Sequence, residues 1–156
     1  MKVVVISDTH GMIDLAIDVI KEIEDVDLCI HLGDHYKDAL DIEESTEVEM
    51  IAVKGNCDRE DEESEMVLEL EDHRLFITHG HEYGVKMNLN RIYYKALELG
   101  CNVVLFGHTH SPIIDQIDDV FIMNPGSISL PRGGQNSSYG IIEIDEEIHG
   151  QIIEVK

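Results

Sequence analysis

The sequence predicts an α/β fold in which two sheets share a core and helices cover the outside. Three observations lead there. Short apolar runs near residues 3, 30 and 50 alternate with amphipathic stretches, the order that builds βαβ units and a mostly parallel sheet. Beyond residue 112 only strand-length pieces remain, separated by polar turns. The 156 residues hold no Pro/Gly/Ser-rich linker, internal repeat or low-complexity tract, which suits one domain over 1–156. A chain of this size buries roughly 70% of its unfolded surface, so it needs no covalent staples.

Taken in order, Met1–Ile6 reads as a buried strand. Met12, Leu15, Ala16, Val19, Ile20 and Ile23 then follow the i, i+3, i+4 spacing of a helix facing a core. Leu28–Leu32 is the second strand, Asp38–Glu44 a short helix and Val48–Val53 the third strand. Met66–Leu70 and Arg74–Thr78 read as a strand pair around the turn "EDH". Asn88–Leu99 is a helix with Leu89, Ile92, Tyr93, Ala96 and Leu97 inward, and Gly100 as its C-terminal cap. Asn102–Phe106 is a further buried strand. The tail gives Ile113–Ile117, Val120–Met123, Tyr139–Ile144 and His149–Val155, with hairpin turns at Asp118–Asp119 and Asp145–Glu147. These pieces predict a mainly antiparallel sheet.

The charge excludes several partners. There are 33 acidic residues against 11 basic ones, a net −22 with His neutral. Such a surface repels phosphate backbones, so no binding to a nucleic-acid duplex is expected. Much of the acid lies between Glu43 and Glu71, "REDEESE" included, and reads as a solvated face or loop. An acidic protein acting on phosphates needs a local positive source, which metal ions supply. No apolar run reaches membrane-spanning length and the N-terminus lacks a secretory pattern, so the expected place is the cytoplasm. Cys29, Cys57 and Cys101 can form no disulfide framework and match no zinc-knuckle spacing.

The chemistry appears at the strand ends. Past the first strand comes "DTHG", with Asp8 and His10; past the second "GDH", with Asp34; past the third "KGNCD", with Asn56. Past Thr78 comes "HGH", with His79, and past Phe106 comes "GHTH", with His108 and His110. Five strands deliver only metal-ligand residue types from their carboxyl ends, the edge where open α/β sheets bind ligands. Seven ligands exceed the needs of one ordinary ion and suit two. Carboxylate, imidazole and amide oxygen without thiolate favour Mn²⁺, Fe²⁺, Ni²⁺ or Zn²⁺ over a structural zinc site, Mn²⁺ or Ni²⁺ being the expected ions. Gly33, Gly55, Gly80 and Gly107 beside them allow tight turns and close backbone approach.

The ordered set D-x-H, G-D, G-N-x-D, T-H-G-H and G-H-T-H resembles the calcineurin-like metallophosphoesterase superfamily. The following "NPGSISLPRGG" is similar to its small bacterial and archaeal phosphodiesterase branch. The resemblance covers Asp8 to about Gly134. It implies a four-layer α/β/β/α sandwich and two divalent ions per chain. Asp8, His10, Asp34 and His110 would hold the first ion. Asp34 would bridge to the second, held also by Asn56, His79 and His108. It implies a phosphodiesterase in which a hydroxide between the ions attacks phosphorus, Asp34 and Asn56 being the residues closest to the chemistry. A phosphomonoesterase or nucleotidase with the same site is the neighbouring expectation, and a noncatalytic scaffold like the retromer subunit of the superfamily is the remote one. Many members carry G-N-H-E where this chain has "GNCD", so Cys57 stands where an imidazole would assist the leaving group.

Other residues carry weaker signals. His31 reads as a satisfied core histidine, and His73 and His149 as surface groups. His35 and His81 flank ligand positions. Cys57, His81 and Arg132 are the candidate substrate-binding residues, Arg132 because basic residues are scarce here. The expected partner is a small phosphodiester or nucleotide-like substrate. A second copy of the chain is a candidate partner in a homodimer.

Overall fold

The structure is a computed structural model and describes residues 1–59 and 61–156; Glu60, within the acidic stretch, lies outside the described residues. Two five-stranded mixed sheets face each other. The first has the order β10-β9-β1-β2-β3 and the second β4-β5-β6-β8-β7. In the first, β1 (Lys2–Ile6), β2 (Leu28–His31) and β3 (Met50–Ala52) run parallel. Helices α1 (Asp14–Glu22) and α2 (Tyr36–Thr46) supply the crossovers between them. In the second, β4 (Glu65–Leu70) and β5 (His73–Thr78) form a hairpin, and β5 runs parallel to β6 (Val103–Leu105) across α3 (Asn90–Leu99).

Period-2 alternation explains the layering. Along β1, Val3 and Val5 enter the core between the sheets, together with Ile30, Leu75, Ile77 and Leu105. Val4 and Ile6 point the other way, onto Ala16, Val19, Ile20 and Ile42 of α1 and α2. Along the second sheet, Phe76, Val104 and Ile122 point outward onto Ile92 and Ala96 of α3. The result is helix, sheet, sheet, helix. Each fully buried Val, Ile or Leu contributes roughly 1.5–3 kcal/mol.

The tail does not form a sheet of its own. Hairpin β7 (Ile113–Ile117) and β8 (Val120–Asn124) joins the second sheet, with β8 parallel to β6. Hairpin β9 (Ser138–Ile144) and β10 (Ile148–Glu154) crosses back to the first sheet, with β9 antiparallel to β1. Both hairpins turn where the sequence places them. Each extends a sheet that is already started, so each buries its apolar face against an existing core. Two residues leave the positions their spacing predicts. Met12 precedes α1 and is 46% exposed, and Leu97 is 49% exposed because the buried stripe of α3 continues from Ala96 to Leu99. Gly100 does cap α3, with φ +68°. No described helix is long and apolar enough to cross a membrane.

Candidate metal centre

Strands β1, β2, β3, β5 and β6 end at one edge, and the residues past them meet there. Asp8 is fully buried, Asp34 is 3% exposed, His79 is fully buried and His110 is 4% exposed. His110 Nε2 lies 3.2 Å from Asp8 Oδ1, and His10 Nε2 lies 3.9 Å from the same oxygen. His79 Nε2 stands 3.4 Å from Asp34 Oδ2 and 3.8 Å from Asp8 Oδ1. His10 Nε2 is 3.8 Å from Asp34 Oδ2. Asn56 Oδ1 is 3.1 Å from His79 Nε2. The His108 ring lies 5.1 Å from that of His79. All seven residues chosen from the sequence therefore share one site.

Among the described residues, three overlapping sets have donor atoms within 4.8 Å of one another: Asp8, His10 and His110; Asp8, Asp34 and His79; His10, Asp34 and Cys57. Donors around one ion, at bonds of about 2.1 Å, stand roughly 3.0–3.4 Å apart. The shorter spacings here match, and the longer ones need a few tenths of an ångström of closure. Two further facts fit a cation. Asp8 Oδ1 is buried and has no hydrogen-bond partner among the described residues, although an unpaired buried polar atom is costly. The imidazoles are also turned the right way. Nδ1–H of His79 donates to the Leu32 carbonyl and that of His110 to the Leu130 carbonyl, each at 2.6 Å. Both rings therefore aim Nε2 at the carboxylates, the arrangement that outer partners impose on metal-binding histidines. His10 Nε2 and His110 Nε2 face each other at 3.4 Å.

The backbone is bent to make this possible. Asp8, His10, Asp34, His108 and His110 all have left-handed φ, between +48° and +68°. That region is sparsely used by side-chain-bearing residues, and such strain of order 1–3 kcal/mol each collects at functional sites. Hydrogen bonds hold the bends. Ser7 Oγ–H and the His108 N–H both donate to Asp8 Oδ2. Ser127 and Ser129 donate to the Asp8 carbonyl at 2.8 and 2.9 Å. Asp58 Oδ2 accepts from Gly55 N at 2.7 Å and Asp34 N at 3.1 Å. A Cβ on Gly107 would stand 2.1 Å from Ser7 Oγ, so only glycine permits that approach.

Charge follows the geometry. Burial alone would raise the Asp34 carboxyl, but the His79 ring and the Cys57 N–H hold it well below the usual range. Asp8 is likewise lowered against its burial, by His110, His79 and Ser7. His79 is raised because Asp34 and Asp8 outweigh its burial, and His110 is raised chiefly by Asp8. His108 is pushed down to about 4 by burial and then by His79, so it is neutral and free to ligate at neutral pH.

The three candidate substrate-binding residues lie around this cluster. Cys57 is exposed, and burial followed by Asp34 raises its thiol, which stays protonated near neutral pH. The His81 ring lies tilted beside those of His79 and His108, at 5.5 and 6.1 Å between centroids, with a buried Nδ1 lacking a hydrogen-bond partner among the described residues. Arg132 is exposed on the wall of a neighbouring cavity. In the sequence Asp58 entered only as the last residue of G-N-x-D and Ser127 and Ser129 only within "NPGSISLPRGG"; Asp38 had no functional part. Asp38 Oδ2 accepts from Thr9 Oγ1 at 2.5 Å and Gly11 N at 2.7 Å, and Thr9 in turn accepts from His31 Nε2 at 2.9 Å. His31 is therefore the satisfied core histidine the sequence predicts, its Nδ1 accepting from Gly33 N. Asp58, two residues past Asn56, carried the one local signal; Asp38 and the two serines lie four or more residues from any of the seven ligands.

A carboxylate and imidazole cluster at the strand ends of a double-sheet sandwich defines the metallophosphoesterase class. The particular family follows from comparison. The chain belongs to the calcineurin-like phosphoesterase superfamily, whose domain matches residues 1–147. It is 37% identical over 149 residues to the probable metallophosphoesterase YsnB of Bacillus subtilis, spanning 94% of this chain and 86% of that one. The fold is similar to that of a predicted phosphoesterase from Streptococcus pneumoniae, with TM-score 0.84, 29% identity, and 98% and 88% of the two chains covered. It is also similar to the phosphoesterase YfcE of Escherichia coli, with TM-score 0.74, 27% identity and both chains fully covered. Vps29 from Entamoeba histolytica has the same fold at TM-score 0.80 over the whole of both chains, with 18% identity.

Proposed function

We propose that the chain is a phosphodiesterase that hydrolyses small phosphodiesters with two divalent transition-metal ions, Mn²⁺ or Ni²⁺ for preference. The observation that carries this reading is the buried, unpartnered Asp8 Oδ1 ringed by imidazole Nε2 atoms. Asp8, His10, Asp34 and His110 would hold one ion; Asp34, Asn56, His79 and His108 would hold the other. Bound there, the ions supply a nucleophile at neutral pH and offset charge developing on the phosphoryl oxygens.

The chain's own groups supply the rest. Asp8 and Asp34, both held ionised, keep the centre from carrying excess positive charge. The Leu32 and Leu130 carbonyls fix which nitrogen of His79 and His110 faces the site. Cys57, exposed beside Asp34 and protonated, is a weak proton donor to a departing alkoxide. The reading thus favours diesters whose leaving group departs without a strong general acid. Completeness of the ligand set favours catalysis over a scaffold role.

Turnover of bis(4-nitrophenyl) phosphate and 4-nitrophenyl phosphate across Mn²⁺, Ni²⁺, Fe²⁺ and Zn²⁺ is the direct test. The diester is expected to be the better substrate. Asp34→Asn and Asn56→Ala are each expected to lose at least 10²-fold in kcat/KM with an unchanged circular-dichroism spectrum. Near-wild-type turnover by either variant at saturating metal defeats the assignment, and faster monoester hydrolysis defeats the diester preference.

A further inference from the structure

A cavity of about 490 Å³ shares a wall with the candidate metal centre. The segment from Phe106 to Ile113 builds both: His108 and His110 face the cluster, while Phe106, Thr109, Ser111, Pro112 and Ile113 line the cavity. Val85 and Leu89, from the segment leading into α3, complete an apolar floor. The volume lies in the range of small-molecule sites, roughly 300–1,000 Å³. A flat apolar group of aryl or nucleoside size fits such a floor.

The remaining two lining residues are Lys86 and Arg132, both exposed. Two cations on one cavity stand out in a chain with 11 basic and 33 acidic residues. Arg74 pairs with Glu69 and Lys95 with Glu98. Among the described residues, neither Lys86 nor Arg132 has such an ion pair. Both cations line the same cavity as Thr109 and Ser111, the chain neighbours of His108 and His110. A substrate group there meets apolar carbon below and positive charge at the rim.

We propose that this cavity seats one ester arm of the substrate, and that it selects an arm combining an apolar ring with a second anionic group, which Lys86 and Arg132 bind. The proposal rests on the phosphodiesterase reading and narrows its substrate class. The negative surface elsewhere repels polyanions, so the fitting substrate is a short, multiply charged ester rather than a nucleic-acid strand. Arg132 offers a planar fork and Lys86 a point charge, a combination suited to phosphate or carboxylate.

The test uses two ligand pairs that differ only by a 3′-phosphate. Titration calorimetry with the Mn²⁺-loaded protein compares thymidine 5′-monophosphate with thymidine 3′,5′-bisphosphate. Turnover compares their 5′-(4-nitrophenyl) diesters. Wild type is expected to favour the 3′-phosphorylated member about tenfold in Kd and KM, equivalent to about 1.4 kcal/mol. Lys86→Met with Arg132→Met, which keeps much of the apolar stems, should bring both ratios near one. A wild-type ratio near one, or a ratio the double variant leaves intact, overturns the proposal. Diesters cleaved with a ratio near one leave the phosphodiesterase reading standing and remove the subsite. A tenfold binding ratio that the double variant erases, with neither diester cleaved, keeps the anion-selective cavity and removes the diesterase reading.

Discussion

Gly55→Ala is expected to disable the centre while sparing the fold. Gly55 lies between β3 and the Asn56–Asp58 turn, against Asp34. A methyl group there would stand 2.0 Å from Asp34 Oδ1, 2.6 Å from Asp34 N and 2.8 Å from Asp34 Cγ. Ordinary contact begins near 3.4 Å, so Oδ1 is about 1.4 Å too close. Rotating the carboxylate away does not suffice, because the Asp34 backbone nitrogen also clashes. Lifting the turn strains the bonds that tie it down: Gly55 N–H and Asp34 N–H to Asp58, and Cys57 N–H to Asp34 Oδ1 at 2.9 Å. Overpacking of this kind costs about 1–3 kcal/mol, or a few degrees of Tm at this chain length. The effect on the centre is larger, since a shift of about 1 Å in a positioned group can cost 10²-fold. We expect kcat/KM for bis(4-nitrophenyl) phosphate to fall about 10²-fold and Mn²⁺ affinity at least tenfold. Calorimetric metal titration, saturating-metal kinetics and melting of the metal-free protein measure the three effects. Wild-type metal affinity together with wild-type turnover would refute the claim that Asp34 is held by the bare Gly55 backbone.

Three further outcomes follow from the same geometry. Metal binding should release protons, because His79 and His110 are raised and a cation must displace their protons; affinity should weaken as pH falls below neutral. Mn²⁺ titrations in buffers of different ionisation enthalpy read the proton count, and equal heats in all buffers would contradict it. The metal-free protein should lose stability as pH falls from about 6.5 to about 4. Burial pushes His31 down to about 4, so within that window the unfolded chain takes up a proton that folded His31 refuses. Lowered Asp8 and Asp34 lose their contribution only below about 3.8, a separate window. His31→Gln should flatten the Tm profile between 6.5 and 4 relative to wild type, and parallel profiles would sink the assignment. Finally, wild type should cleave diesters of acidic phenols well and alkyl diesters poorly, with a steep dependence on leaving-group pKa. Proton donation is worth roughly 10²–10⁴-fold, so Cys57→His should flatten that slope; a wild-type slope near zero in single-turnover kinetics would oppose it.

The clustering of the seven residues was legible because two simple regularities locate them. A buried strand shows as an apolar run, and the residue just past its end is fixed once the run is found. Asp8, Asp34, Asn56, His79 and His108 are all found that way. His10 and His110 come with them as the i+2 neighbours of Asp8 and His108. In an extended strand i and i+2 point the same way, but here both members of each pair adopt left-handed φ, and the first turn leaves His10 Nε2 3.9 Å from Asp8 Oδ1. What holds that turn was not legible: the serines at 127 and 129 reach the Asp8 carbonyl across more than a hundred residues. A contact of that range leaves no local pattern.

The same reasoning separates what the tail revealed from what it concealed. Hairpin turns at 118–119 and 145–147 are local chemistry and fall where Asp and Glu place them. The choice of sheet is not local. Gly140 and Gly150 sit on β9 and β10 in the first sheet, and a Cβ on Gly140 would stand 2.6 Å from Met123 Sδ of the second. On Gly150 it would stand 2.4 Å from the Phe121 ring. The large side chains of β8 thus press into gaps that only glycine leaves in the facing hairpin. Read alone, a glycine within a strand signals weakness or a bulge. Here each marks the place where the opposite sheet arrives. The second hairpin therefore belongs to the first sheet because β8, already committed beside β6, fills the space that a larger residue at 140 or 150 would need.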